Sequence, residues 1–217
     1  MATFADVRCR LCLVTPASYD AEDFAPRLAD ALAGGDVASL IITTPGGDPL
    51  ALQHAATRLV PIATAREVAS LVAGDGRIAM RTGADGVHIE TGAADVEAAR
   101  QAMRNRIVGA GNIQSRHDAM EIAEAEPEYL FFGRLDGDNG DDIFPRALDL
   151  AAWWSSVAVI PAVVMGGRTL KSVDAAAAAG IEFVALSHAV WDDARGPAAA
   201  VADVVARLAE RAREPAA

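Results

Sequence analysis

From residue 11 onward, short apolar runs alternate with longer stretches in which apolar residues recur every three or four positions. Runs at 11–15, 39–43, 68–73, 86–89, 107–111, 129–133, 159–165 and 183–186 have the length and content of buried strands. Between them lie amphipathic segments, such as the one carrying Phe24, Leu28, Ala31 and Leu32 and the last one carrying Val201, Val204, Val205 and Leu208. Strand followed by helix, repeated across short connections with no Ser/Pro-rich linker, predicts a parallel sheet covered by helices. Eight such units fit a closed (β/α)8 barrel, a TIM barrel, better than an open sheet, and residues 1–217 are read as one domain. Pro61 is expected to interrupt the second helical segment, and the third helix, at 77–82, spans barely a turn and a half.

Composition adds limits to that picture. The chain has 217 residues, 52% of them hydrophobic and 23% charged, enough for one buried core. Its net charge of −11 argues against nucleic acid or an anionic membrane surface as the main partner. No apolar window is long enough to cross a bilayer, and the opening "MATFADVRCRLCLVTP" mixes charges ahead of a very short apolar run, unlike a signal peptide; a cytoplasmic protein is expected. Cys9 and Cys12 spell C-x-x-C, but "RLCLVT" reads as a strand that sends residues three apart to opposite faces, so both are expected to be structural thiols.

In a TIM barrel, ligands meet the C-terminal ends of the strands, and a phosphate commonly sits between the loops after strands seven and eight. Those loops read "VVMGGRTLKS" and "VALSHAVWDD". Gly166 and Gly167 allow backbone N–H groups to approach an anion, a helix starting near Thr169 points its positive end the same way, and Ser187 and His188 close the cradle. A small phosphorylated substrate is therefore expected, with Thr43, Asn112, Gln114 and Met165 at strand ends lining its pocket. If Val87 and Ile89 face the helices, His88 points into the barrel near its mouth, either as an acid/base group or as a hydrogen-bonded structural residue. His54 and His117 fall in helical segments and read as surface residues.

The segments "TGADGVHIETG" (82–92), "IVGAGNIQSRHDAMEIA" (107–123) and "IPAVVMGGRTLKSVDAAAAAGIEFVALSHAV" (160–190), with the strand–helix order, resemble thiamine-phosphate synthases and their thiazole tautomerase-like relatives. The resemblance implies a Mg²⁺-assisted transferase of thiamine biosynthesis, joining hydroxymethylpyrimidine diphosphate to thiazole phosphate with release of diphosphate. It places the thiazole phosphate at Gly166, Gly167 and Ser187.

The diphosphate half departs from the family. "LIITTPGGDP" lacks the Gln-x-Arg-x-x-Lys pattern, Ala73, Gly74 and Asp75 stand where Asn-Asp-Arg is usual, and Glu90 to Ala93 replace Gly-Gln-x-Asp. After the sixth strand, a Thr-x-Thr-Lys segment gives way to Arg134, Asp136, Asp138, Asp141 and Asp142. Substitutes for the missing groups would be Asp75, Glu90 and Asp136 toward Mg²⁺, and Arg134 or His88 in catalysis. Counted from Asp136, the oxygen and glycine positions of a calcium loop are wrong, and a solvated, mobile loop is expected at 134–142. Gln114 stands where tautomerase-like relatives carry a histidine, and it cannot transfer a proton near neutral pH. A phosphate-ligand binding barrel without the reaction and a tautomerase-like isomerase are the alternatives; homo-oligomerisation is left open. Epimerase and isomerase barrels find no paired strand-end lysine and glutamate here.

Overall fold

Eight parallel strands close on themselves in chain order: β1 (Arg10–Val14), β2 (Ser39–Ile42), β3 (Ala69–Ala73), β4 (Gly86–Ile89), β5 (Ile107–Ala110), β6 (Tyr129–Phe132), β7 (Ala162–Met165) and β8 (Phe183–Leu186), with β8 pairing β1. The structure is a computed structural model that describes residues 9–213; the stretch through Arg8, on which part of the signal-peptide expectation rests, lies outside the described residues. Helices α1 (Ala21–Ala33), α2 (Pro49–Thr64), α3 (Gly76–Thr82), α4 (Ala93–Ala102), α5 (Arg116–Ala123), α6 (Pro145–Val157) and α7 (Lys171–Ala178) follow the first seven strands. After β8 come the single-turn α8 (His188–Trp191) and the covering helix α9 (Pro197–Arg211). The expected (β/α)8 barrel is the fold. No helix among the described residues is long and apolar enough to cross a membrane.

Alternation along each strand builds two cores. Leu11, Leu13, Val87, Ile89, Leu130 and Phe132 pack outward against the helices, whereas Cys12, Val14, Tyr129, Phe131, Val163 and Met165 fill the barrel. Being buried on both faces, the strands read as nearly continuous apolar runs. Cys9 and Cys12 do fall on opposite faces: Cys12 is inside the barrel and Cys9 packs against the outer core. Burial pushes the Cys9 thiol up to about 12 and the Cys12 thiol up to about 11, the reverse of what a reactive thiolate needs.

Several polar residues are consumed by local structure. Asp20 and Asp75 accept the first N–H groups of α1 and α3, Asp48 caps α2 just ahead of Pro49, and Ser115 caps α5. At the opposite end of the barrel a repeated device appears. Asp85 accepts from Ser70 N–H and Oγ at 2.7 and 2.9 Å, Glu128 from Val108 N–H at 2.6 Å, and Glu182 from Ala162 N–H at 3.0 Å. A carboxylate just before each of β4, β6 and β8 thus ties the backbone of the preceding strand, and Asp85 of the "GADGVH" segment is a stabilising residue at the N-terminal face.

Two expectations need correction. Pro61 lies inside α2 without breaking it: the helix runs on to Thr64, held down by the buried Leu59, Val60 and Ala63, which offset the one hydrogen bond that proline cannot donate. β7 begins at Ala162 rather than 159: Val159 is 92% exposed, and the Ile160 carbonyl accepts from Trp154 Nε1 at 2.8 Å, which closes a loop over α6.

Candidate functional site

A cavity of about 1360 Å³ opens at the C-terminal mouth of the barrel. Thr15 and Thr43 follow β1 and β2 on one side, Glu90, Asn112 and Gln114 follow β4 and β5, and Met165, the last residue of β7, also lines the cavity. The 134–142 loop and the start of α6, with Arg146, form the remaining wall. All four expected pocket residues, Thr43, Asn112, Gln114 and Met165, line this cavity, together with Arg134, Glu90 and Asp136. Its ionic wall carries the carboxylates of Glu90, Asp136, Asp141 and Asp142 against the guanidinium groups of Arg134 and Arg146.

Neighbouring groups already orient the polar wall. Thr15 and Thr43 share a hydroxyl–hydroxyl bond of 2.8 Å. Asn112, held at a φ of +60° that asparagine tolerates better than most residues, donates to the Glu90 carbonyl at 3.2 Å and accepts from Gln114 Nε2 at 3.2 Å. Arg146 donates to the Gln114 carbonyl. Arg134 grips Asp136 through two bonds of 2.9 and 3.1 Å, and this pairing raises the guanidinium pKa further above its ordinary value. His88 lies fully buried beneath the cavity, with Nδ1 2.8 Å from the Tyr129 hydroxyl. His54 and His117 are exposed on α2 and α5, as expected.

The expected phosphate cradle has a different look. Gly166, Gly167, Ser187 and His188 lie outside the cavity wall, and the 134–142 loop lies across them. Gly166 N–H donates to the Ala185 carbonyl at 2.8 Å and Gly167 N–H to Ser172 Oγ at 2.7 Å. α7 starts at Lys171, and Thr169 N–H is taken by the Asp141 carbonyl at 3.2 Å. His188 donates its backbone N–H at 2.7 Å to Asp138 Oδ2, which also lies 2.7 Å from the ring Nδ1.

The loop is therefore clasped rather than merely solvated. Arg168 Nε donates to the Asp138 carbonyl at 3.0 Å and Arg168 N–H to Gly140 at 2.8 Å, while Thr169 Oγ1 adds a 2.8 Å bond to Asp141. A Cβ on Gly167 would meet the Asp141 carbonyl oxygen at 2.5 Å and that of Asp142 at 2.6 Å, so this glycine makes room for the loop backbone. Asp136, Asp141 and Asp142 remain exposed at the surface, but Asp138 is 1% exposed. Sequence reasoning counted Asp138 among the loop charges and missed its burial, because the partner that receives it is fifty residues away.

Of the metal candidates, Glu90 and Asp136 share the cavity wall and Asp75 lies apart. Asp75 caps α3 beside a separate surface hollow, Asp136 is committed to Arg134, and Glu90 stands on the cavity wall. Among the described residues no group of three or more His, Cys, Asp or Glu side chains could hold a metal ion, so any Mg²⁺ here would need oxygens from the substrate beside one or two carboxylates.

The family model for thiamine monophosphate synthase matches residues 11–190. A thiamine-phosphate synthase of Rhodospirillum centenum is 36% identical over 201 residues, covering 90% of this chain and 95% of that protein. One from Hyphomonas neptunium is 33% identical over 201 residues, covering 89% and 91%. Among solved structures, a thiamine phosphate pyrophosphorylase from Pyrococcus furiosus superimposes with a TM-score of 0.77 at 19% identity, covering 96% of this chain and 99% of that one, a likeness of fold.

Proposed function

Because this chain belongs to the thiamine monophosphate synthase family, we propose that it is a transferase of thiamine biosynthesis, joining hydroxymethylpyrimidine diphosphate to thiazole phosphate with release of diphosphate. The observation that carries this reading is the mouth cavity. At about 1360 Å³ it exceeds the roughly 300–1,000 Å³ typical of a site for one small ligand, and so has room for two reactants side by side.

The chemistry asks little of the wall in the way of acids or bases. The thiazole ring nitrogen attacks the methylene carbon of the pyrimidine, a C–N bond forms, and the C–O bond breaks with its electron pair leaving on the diphosphate. No proton has to move. Gln114, useless to a tautomerase as a proton carrier, is compatible with such a transfer. What the wall must supply is alignment of the two rings and stabilisation of the charge developing on the leaving group. Thr15, Thr43, Asn112 and Gln114 offer hydroxyls and amides for alignment, and Arg134 and Arg146 are the cations on the wall. No step is assigned to Mg²⁺, since no group of three or more ligating side chains converges among the described residues.

The thiazole phosphate is placed at the corner made by Gly166, Gly167, Ser187 and His188. There His188 already receives an oxyanion, the carboxylate of Asp138, and a phosphate would take that carboxylate's place. Backbone amide spectra test the placement. On titration with thiazole phosphate, the Ser187 and His188 amides should move furthest, with inorganic phosphate competing. Saturable shifts confined to other residues would contradict it.

A further inference from the structure

Beneath the cavity floor the barrel holds a polar pair that the transfer reaction leaves unused. His88 is 0% exposed, stacks on Tyr129 at an interplanar angle of 9°, and meets the edge of Phe131 at 5.2 Å. Space for this pair is cut from β5 and the residue that follows it. A Cβ at Gly109 would lie 1.9 Å from Tyr129 Cζ, and one at Gly111 would lie 2.7 Å from His88 Nε2 and 3.3 Å from Glu90 Cγ. Any larger residue at either position would collide with the pair.

Hydrogen bonding sets the tautomer. Burial pushes the Tyr129 phenol well above its ordinary value, so its O–H stays protonated and donates to His88 Nδ1. The proton of the neutral ring then sits on Nε2. That Nε2 is buried and has no hydrogen-bond partner among the described residues, an arrangement that proteins seldom leave uncompensated. Glu90 Oε1 lies 3.9 Å from it, and the Glu90 side chain is 39% exposed on the cavity wall. A shift of about 1 Å in this half-exposed side chain would close the hydrogen bond, to about 2.9 Å. The carboxylate would then be fixed from below, with its second oxygen facing the cavity.

We propose that Glu90, held by the positioning residues His88 and Tyr129, is the cavity's acceptor for an N–H donor on the ligand, the amino group of an aminopyrimidine. The inference rests on the functional reading above and adds which wall residue selects the pyrimidine. A carboxylate clamped at one oxygen favours a ligand with an N–H donor over the same ring without one, because the unpaired acceptor would otherwise stay desolvated.

Two measurements separate this inference from the reading beneath it. ¹⁵N spectra of the histidines, recorded without ligand, should place the His88 proton on Nε2, with a resonance that moves in Glu90→Gln and a proton that redistributes in Tyr129→Phe. Calorimetry should use hydroxymethylpyrimidine, the unphosphorylated aminopyrimidine, and thiazole phosphate in parallel. Glu90→Gln should weaken the aminopyrimidine at least tenfold and leave thiazole phosphate within twofold, and Tyr129→Phe should weaken the first several-fold and spare the second. Wild-type protein that binds neither compound overturns the functional reading, and with it the ligand named here. Wild-type protein that binds both, while Glu90→Gln binds the aminopyrimidine as tightly, overturns this inference alone. A His88 proton found on Nδ1 removes the positioning role.

Discussion

Asp138→Ala is expected to bind thiazole phosphate at least tenfold more tightly than the wild type. In the resting protein an incoming phosphate must first displace a carboxylate held by the His188 N–H and lying against the His188 ring, both at 2.7 Å, in a pocket that leaves Asp138 1% exposed. A hydrogen bond to a charged group contributes about 1.5–3 kcal/mol net, and about 1.4 kcal/mol is a factor of ten in affinity. Removing this internal competitor lets phosphate collect bonds that Asp138 now makes. The same substitution leaves the His188 N–H without its acceptor in the free protein, lowering stability by about 1–3 kcal/mol and biasing the corner further toward an added anion. Asp138→Asn keeps the shape without the charge and should fall between the two. Calorimetry on all three proteins decides the matter; equal affinities would mean that Asp138 and the phosphate do not share a site.

Trp191→Ala should cost about 3–5 kcal/mol of unfolding free energy, the usual range for deleting a buried aromatic side chain. Trp191 is 3% exposed, donates Nε1–H to the Val14 carbonyl at 2.7 Å, packs edge-on to Phe24 at 4.7 Å between centroids, and receives Arg27 at its own carbonyl. It pins α8, and with it the Ser187–His188 corner, to β1 and α1. Against a typical total stability of about 5–15 kcal/mol, the loss is large enough to appear in urea denaturation as a clear drop in midpoint. Trp191→Phe, which keeps most of the packing and removes the donor, should lose roughly 1–3 kcal/mol by leaving the Val14 carbonyl unpaired. A loss below about 1 kcal/mol in the alanine variant would show that α8 is held by other contacts.

Much of the scaffold was legible because a parallel barrel burial pattern is local. "GVHI" and "YLFF" are short apolar runs bounded by turns, and the inward position of His88 followed from alternation alone. The start of β7 was misplaced for a physical reason: Val159 to Pro161 is as apolar as the strand it precedes, and it is the exposure of Val159 and the Trp154–Ile160 bond that mark it as a loop. The site was less legible than the scaffold. Strand-end residues such as Thr43, Asn112 and Met165 could be found by counting to the mouth. The burial of Asp138 depends on a partner fifty residues away, and no local pattern distinguishes it from the exposed aspartates beside it. Tyr129 was within reach of sequence reasoning, since it shares the inward parity of Phe131 and faces the side-chain gap left by Gly109. Asp75 shows the ambiguity of a carboxylate at a strand end, where a helix cap and a metal ligand look alike in sequence; in the structure it caps α3.

The central claim, a carbon–nitrogen transfer at the mouth of this barrel, is tested most directly by incubating the protein with hydroxymethylpyrimidine diphosphate and thiazole phosphate, with and without added Mg²⁺, and following both products. Thiamine phosphate and diphosphate should appear in equal amounts, dependent on both substrates. Binding of both substrates with no thiamine phosphate formed under either condition would contradict it.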